Sequence, residues 1–380
     1  MPDPLAPVLP DYGGACIDSV VAAMRGQRPP TRLPLPESVA DAVAGGAQAV
    51  VLVLDGLGWS QLQERPSLAP VMSAMDGGPI TSVVPTTTAV ALTSITTGLP
   101  PAGHNVVGYR VRVPGTSPAG EDEVLNLLRW RTASGDARTS VDPVAFQGLP
   151  AFGGDGTPAV TKAEFAGTGF TSAHLAGARL VGWRMPSTLV AEVRRLLAAG
   201  ERFVYAYYDG IDRVAHEYGL DDRYDAEVAA ADRLVGDLAS VLPPGAVLAV
   251  TSDHGQVDVG RNVIGLDPAL MAQTWMLSGE GRFRWLHTRA DADSDRLCAD
   301  ALSLYGEQAW VVTREEIEAA GWFGGPLSET ARARLGDVAI VARAPVAFLD
   351  PADTGEVRLM SRHGSLTEAE MRVPLLVVAG

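Results

Sequence analysis

Five short runs of this chain are apolar without interruption: Ala49 to Leu54, Phe203 to Tyr208, Ala246 to Thr251, Val338 to Ala342 and Pro374 to Ala379. They are continuous rather than alternating and rich in Val, Ile and Tyr, which predicts strands buried on both faces, as in a parallel sheet. Helix-like stretches lie among them, at Thr88 to Thr96, Pro186 to Ala199, Ala226 to Val241 and Ser328 to Leu335. This alternation predicts an α/β fold of three layers, with a mostly parallel central sheet between helices. Ligands of such sheets gather beyond the carboxyl ends of the strands. Asp55, Asp209 and Asp253 each fall just past the end of a run.

Two segments break the pattern. Residues from about 115 to 169 are rich in Gly, Pro, Ser and Thr, with weak periodicity, and read as a surface excursion. Residues from about 260 to 336 contain WMLSGEGRFRWLHTR and a helix-like Ser294 to Tyr305, and read as a smaller subdomain inserted between two core strands. The expectation is therefore one domain over 1–380 with two insertions.

Composition narrows the partners. A chain of 380 residues, 47% hydrophobic and 20% charged, buries a large core. A formal net charge of -15 and a pI near 4.8, without any basic run, argue against a nucleic-acid polymer, whose phosphates call for clustered Lys and Arg. An anionic substrate would then be attracted locally, by bound cations. Cys16 and Cys298 belong to no CxxC or Cys/His cluster, so a disulfide has no support in the spacing. The amino-terminal stretch lacks the basic and apolar regions of a leader, and no apolar run is long enough to span a bilayer. The expectation is a soluble, cytoplasmic protein with no membrane partner; nothing in the sequence speaks to its oligomeric state.

The candidate chemistry sits in short, scattered motifs. Asp55 ends the run VVLVLDG, where it reads equally as a turn cap or as a carboxylate ligand held on a strand end. Asp212 and His216 in DGIDRVAH are four apart, so on a helix they share one face and converge on one ion. Asp209 is a competing ligand off that face. Asp253 and His254 in TSDHG follow a buried run, and burying both without partners is costly, which implies pairing, solvent or metal. His363 in SRHG gains weight by completing the set. Oxygen and nitrogen ligands of this kind suit a pair of divalent cations. The turn PTTTAVALTSITTG offers hydroxyl nucleophiles at Thr86, Thr87, Thr88, Thr93 and Ser94. Entering a helix after Pro85, it would present free N–H groups to an anionic phosphoryl group. Caps and core fillers are the alternative reading of these hydroxyls.

In order and context the motifs resemble the alkaline phosphatase superfamily, in its type I phosphodiesterase/nucleotide pyrophosphatase-like branch. That pattern has an Asp-Gly after the first strand, P-T-x-T…T-G, D-x-x-x-H, D-H-G and a late H-G, and all five occur here between Asp55 and His363. The resemblance implies Thr88 as nucleophile, with Asp55, Thr88, Asp253 and His254 around one cation and Asp212, His216 and His363 around the other. It implies zinc, with manganese also compatible, and a phospho-threonine intermediate. One position departs: where the family usually places a phosphate-contacting asparagine this chain has Tyr109, with Asn105 nearby but out of register. Tyr109 is taken as the substrate contact. His104 matches a family position and is read as structural. Lys162, the single lysine, is read as an unpaired surface side chain, although a lysine contacts phosphate in some phosphomonoesterases of the superfamily.

The expected activity is two-metal hydrolysis of a phosphodiester or pyrophosphate bond in a small nucleotide-like molecule. A phosphomonoesterase or phosphonate hydrolase is the alternative within the superfamily. A sulfatase would carry Cys or Ser in place of Thr88, and a phosphomutase usually serine. The rival of another class is a non-catalytic metal-binding or scaffold protein.

Overall fold

A computed structural model describes residues 6–27, 32–355 and 358–380. The first five residues of the stretch read for a leader lie outside them. In chain order, the strands that frame the site are β1 (Ala49–Leu54), β2 (Asp76–Thr81), β3 (Arg110–Val113), β4 (Glu123–Asn126), β5 (Pro158–Lys162), β6 (Arg179–Trp183), β7 (Phe203–Tyr208) and β8 (Val247–Thr251). They are followed by β9 (Thr274–Glu280), β10 (Phe283–Thr288), β11 (Ala309–Thr313), β12 (Val338–Ala342) and β13 (Arg372–Ala379). The main helices are α1 (Thr88–Thr97), α2 (Pro186–Ala198), α3 (Gly210–Tyr218) and α4 (Asp222–Ser240).

The central sheet runs β2-β13-β8-β1-β7-β5-β6. The pairings β8–β1, β1–β7, β7–β5 and β5–β6 are parallel, whereas β13 runs antiparallel to both β8 and β2. The fold is thus α/β with a mostly parallel sheet. The last apolar run forms its strand but in the opposite sense, because a continuous apolar run records burial on both faces and carries no direction.

Side-chain alternation along β1 makes the three layers visible. Ala49, Val51 and Val53 face a core shared with α1, while Val50, Leu52 and Leu54 face one shared with α2, α3 and α4. Burying each Val or Leu contributes about 1.5–3 kcal/mol, so a charge anywhere on this strand would split one of the two cores.

Two expectations about the insertions change. The surface excursion stops short of residue 169, since β5 lies within the main sheet, between β7 and the edge strand β6. Its ends, Pro158 and Lys162, and its Thr161 disguise a buried strand as loop composition. Conversely, β12 is no part of the main sheet; it lies in a small antiparallel sheet ordered β9-β10-β12-β11. Val338, Ile340 and Ala342 pack into the small core there, whereas Ala339 and Val341 join the large one. Burial on both faces gave β12 the signature of a central strand. The small sheet is fastened to the main body by Arg282, whose Nε and Nη2 meet the two Glu370 oxygens at 2.7 and 2.8 Å, all fully buried. Glu370 Oε1 also accepts the Ser365 N–H at 2.9 Å, which steadies the loop carrying His363. Cys16 and Cys298 are both free thiols. Among the described residues, no helix is long and apolar enough to cross a membrane.

Candidate metal centre and nucleophile

Every residue of the site is delivered by the end of an element. Asp55 follows β1, and its backbone O accepts the Asp212 N–H at 3.0 Å, tying the strand end to α3. The approach is close enough to require glycine next door: Gly56 has φ 79°, and a Cβ there would lie 2.9 Å from Asp212 Cα. Asp253 and His254 follow β8 and are fully buried. Asp212 and His216 lie one turn apart on α3, with Asp212 Oδ1 3.3 Å from His216 Nε2. His363 follows a short strand pairing at Ser361–Arg362.

The three imidazoles are oriented alike. Nδ1 of His216, His254 and His363 faces the backbone carbonyl of Ser361 (2.8 Å), Gly255 (3.0 Å) and Thr86 (2.8 Å), respectively. A carbonyl only accepts, so each Nδ1 is assigned the proton and each Nε2 presents a lone pair, the arrangement of metal-binding histidines. His254 Nε2 lies 3.4 Å from both Asp55 Oδ1 and Asp253 Oδ2, and His363 Nε2 lies 3.8 Å from Asp212 Oδ1. Burial, and then the neighbouring His254 and His216, holds His363 well below the usual imidazole range.

Asp55 and Asp253 are each anchored by one oxygen and left open at the other. Asp253 Oδ1 accepts the N–H groups of Gly56 (3.1 Å) and His254 (3.0 Å), and Asp55 Oδ2 accepts the Tyr207 hydroxyl. Asp253 Oδ2 and Asp55 Oδ1 are buried with no hydrogen-bond partner. Burial pushes both acids above the ordinary carboxylate range, reinforced for Asp55 by the charges of Asp253 and Asp212. Orphaned buried carboxylate oxygens beside imidazole lone pairs are costly in water-free surroundings and fit divalent cations, which supply the missing positive charge. Among the described residues, two ligand groups have their atoms within 4.8 Å: Asp55, Asp253 and His254, and Asp212, His254 and His363. The first is contained in the first expected set. In the second, His254 takes the place expected for His216, which approaches through Asp212 and stands 5.1 Å from His363 between ring centroids.

Among the candidate nucleophiles, Thr88 meets this centre through its hydroxyl, 3.2 Å from His254 Nε2. Thr86 Oγ1 donates to Ser365 O and accepts from Gly364 N, Thr93 Oγ1 donates to Ala89 O, and Ser94 Oγ meets His104 Nε2. Thr87 Oγ1 is buried without a partner. Thr88 opens α1, and Thr87 makes no side-chain cap bond, so first-turn N–H groups are available to an anion. The helix ends at Gly98, in the left-handed region at φ 71°.

Thr88, Leu128, Asp212, His216 and Leu359 line two cavities at once. The larger, about 560 Å³, extends over Asp55 between Leu92, Phe165, Phe170, Leu175, Tyr205 and Tyr207. The smaller, about 270 Å³, extends over His363, Tyr109 and Arg129. Tyr109 therefore lines a cavity with Thr88, while the Asn105 side chain accepts from Ser328 and its backbone carbonyl from Arg334. His104 is wholly buried, meeting Ser94 Oγ at 2.8 Å and accepting the Val106 N–H at 3.1 Å, in keeping with a structural part.

Lys162 corrects the sequence reading. It is no unpaired surface lysine: Nζ lies 2.6 and 2.7 Å from the two oxygens of Asp209 and 5.6–5.9 Å from the ring centroids of Trp183 and Phe165. Asp209, the competing ligand, is thereby engaged on the wall of the larger cavity. Tyr207 and Gln256, whose Nε2 donates to Asp212 Oδ1 at 2.5 Å, were missed. Each lay in a motif already singled out, at the end of an apolar run and one residue past DHG.

A hydroxyl at a helix amino terminus, flanked by open carboxylates and imidazoles at the carboxyl edge of a mostly parallel sheet, defines an alkaline phosphatase-like hydrolase. The profile of the type I phosphodiesterase/nucleotide pyrophosphatase family matches residues 49–366, and the chain belongs to that family of metal-dependent phosphoric ester hydrolases. Among solved structures it is similar to phosphonoacetate hydrolase from Sinorhizobium meliloti 1021, at 19% identity and TM-score 0.65 over 87% of this chain and 89% of that one. It is also similar to murine ectonucleotide pyrophosphatase/phosphodiesterase 5, solved with AMP, at 18% identity and TM-score 0.62 over 87% of each chain. The human form of the latter aligns at 16% identity and TM-score 0.60, again over 87% of each chain. No curated protein sequence matches the chain.

Proposed function

We propose that this chain hydrolyses phosphodiester or pyrophosphate bonds in a small nucleotide-like substrate, with Thr88 as nucleophile and a phospho-threonine intermediate. The observation that supports the reading is Thr88 Oγ1 standing 3.2 Å from Nε2 of His254, the residue common to both ligand groups, with Thr88 lining both cavities. Asp55, Asp253, His254 and Thr88 would hold one divalent cation, and Asp212, His216 and His363 the other. Zinc suits the mixed nitrogen and oxygen donors, and manganese is the second choice. Bound there, the cations would acidify the hydroxyl and neutralise the nonbridging oxygens.

The chain's own residues supply the rest. Thr88 gives up its proton, which ends on the departing oxygen, as its Oγ1 bonds to phosphorus and the bond to that oxygen breaks; water then attacks phosphorus, one of its protons returns to Oγ1 as the threonine bond breaks, and the phosphorylated product carries the new hydroxyl away. The N–H groups at the start of α1 receive the nonbridging oxygens. Tyr109 contacts the reacting group from the smaller cavity. A cavity of about 560 Å³ walled by four aromatic rings suits a bulky flat group on the ester better than the compact carboxymethyl group of phosphonoacetate.

The test is parallel hydrolysis of thymidine 5′-p-nitrophenyl phosphate, p-nitrophenyl phosphate and phosphonoacetate by zinc-loaded protein, with a chelated control and Thr88→Ala. Chelator-sensitive cleavage fastest on the diester and lost in Thr88→Ala is expected. Undiminished turnover in Thr88→Ala would remove the nucleophile assignment, and preference for either of the other substrates would move the activity to that alternative.

A further inference from the structure

Tyr109 stands one residue before β3, and the β3–β4 register sets the next residue, Arg110, opposite Asn126. Asn126 Nδ2 lies 2.6 Å from the Tyr109 hydroxyl oxygen. The amide is fixed from its other end, where Oδ1 accepts the Arg129 backbone N–H at 3.1 Å. Nδ2 is therefore the donor and the phenol oxygen the acceptor. A phenol that accepts one hydrogen bond still has its own proton to give, and among the described residues no acceptor takes it. The ring lines the same cavity as Thr88, His216 and His363. The proton is retained at working pH, since burial, and then the charge of Asp353, pushes this phenol up to about 12.

We propose that Asn126 sets Tyr109 to donate its O–H to a nonbridging oxygen of the phosphoryl group in transfer, so that the two residues together replace the asparagine expected at position 109. The inference rests on the Thr88 reading above. Tyr109 is then a catalytic residue and Asn126 a positioning residue that acts through it. A donor aimed at an oxygen on which charge builds contributes most in the transition state, so its removal falls on kcat more than on KM.

The direction of the Asn126–Tyr109 bond makes the proposal testable. Asn126→Asp keeps an oxygen for the Arg129 N–H but replaces the donor with an acceptor, which captures the phenol proton and turns it away from the cavity. With metal-loaded full-length protein and thymidine 5′-p-nitrophenyl phosphate, Tyr109→Phe and Asn126→Asp should each lower kcat about 10- to 100-fold. KM should move less than about threefold, and the double variant should be no worse than the weaker single one, because both remove the same hydrogen bond. Calorimetric binding of inorganic phosphate in a Thr88→Ala background, which needs no turnover, should weaken about tenfold on adding Tyr109→Phe. Activity of Tyr109→Phe within twofold of the parent, a harmless Asn126→Asp, or additive losses in the double variant would each overturn the proposal. If Thr88→Ala kept its turnover while phosphate binding still depended on Tyr109, the nucleophile would fall and the donor would stand.

Discussion

Replacing Asp253 by Asn should stabilise the metal-free protein and destabilise the metal-loaded one, an inversion that follows from how the carboxylates are held. Asp253 Oδ1 is satisfied by two backbone N–H groups, while Oδ2 is an orphan that, like the equally orphaned Asp55 Oδ1, lies 3.4 Å from His254 Nε2, and the two carboxylates approach within 4.8 Å. At an effective dielectric of about 20, two unit charges at that separation repel by about 3 kcal/mol. Part of this is relieved when Asp55, raised by burial and by Asp253, takes up a proton, so about 2 kcal/mol remains for the substitution to recover. Asn keeps the acceptor for Gly56 and His254 and brings an N–H to face Asp55. For 380 residues the unfolding entropy is about 0.8 kcal/mol/K, so the metal-free variant should melt about 2–3 °C above the parent.

With zinc the order reverses. A cation present at about a thousand times its Kd adds about 4 kcal/mol to the parent, or about 5 °C in Tm. The variant, lacking one anionic ligand, should gain little. Calorimetric melting of chelator-dialysed and zinc-saturated samples of both proteins reads all four values. If the metal-free variant melts below the parent, or zinc raises both equally, the two orphaned oxygens are not the strained half of a cation site.

Three buried imidazoles outside the centre predict acid lability. His104 and His287 are held at about 3 and His174 at about 4, in each case by burial, against about 6.5 unfolded. Since the unfolded chain binds these protons first, their stabilisation is full above about pH 6.5 and falls away as the pH drops toward 3–4; at pH 5 each costs about 2 kcal/mol. Between pH 7 and 5 these three imidazoles should together withdraw about 6 kcal/mol, so the pH 7-to-5 change measured by urea unfolding should carry about 2 kcal/mol less loss in His104→Gln than in the parent, and an equal change in the two would contradict the burial argument. Lys162→Met should cost about 2 kcal/mol by stranding the Asp209 carboxylate in a largely buried position, and Lys162→Met with Asp209→Asn should recover most of it. Equal melting of the single and double variants would mean that Lys162 acts through its packing on Trp183 and Phe165 instead.

What the sequence exposed and what it hid divide along a physical line. Strand cores and the motifs at their ends were legible because burial writes a continuous apolar run and the chemistry follows within one or two residues, as for β1 with Asp55 and β8 with Asp253. Strand direction and sheet membership were not, because β12 and β13 are buried on both faces whichever sheet they join. β5 was hidden by its own Pro, Thr and Lys. Partnership across long separations was the least visible. Lys162 meets Asp209 through the parallel pairing of β5 with β7, and a lone lysine in the sequence says nothing of that neighbour. Asn126 meets Tyr109 only through a hairpin register that weakly periodic sequence does not specify. The residues that accept charge are therefore announced by local pattern, whereas those that aim them are set by register. A departure from the family pattern such as Tyr109 can be judged only once its register partner is known: read alone it is a lost amide, and beside Asn126 it is a phenol with one proton still to give.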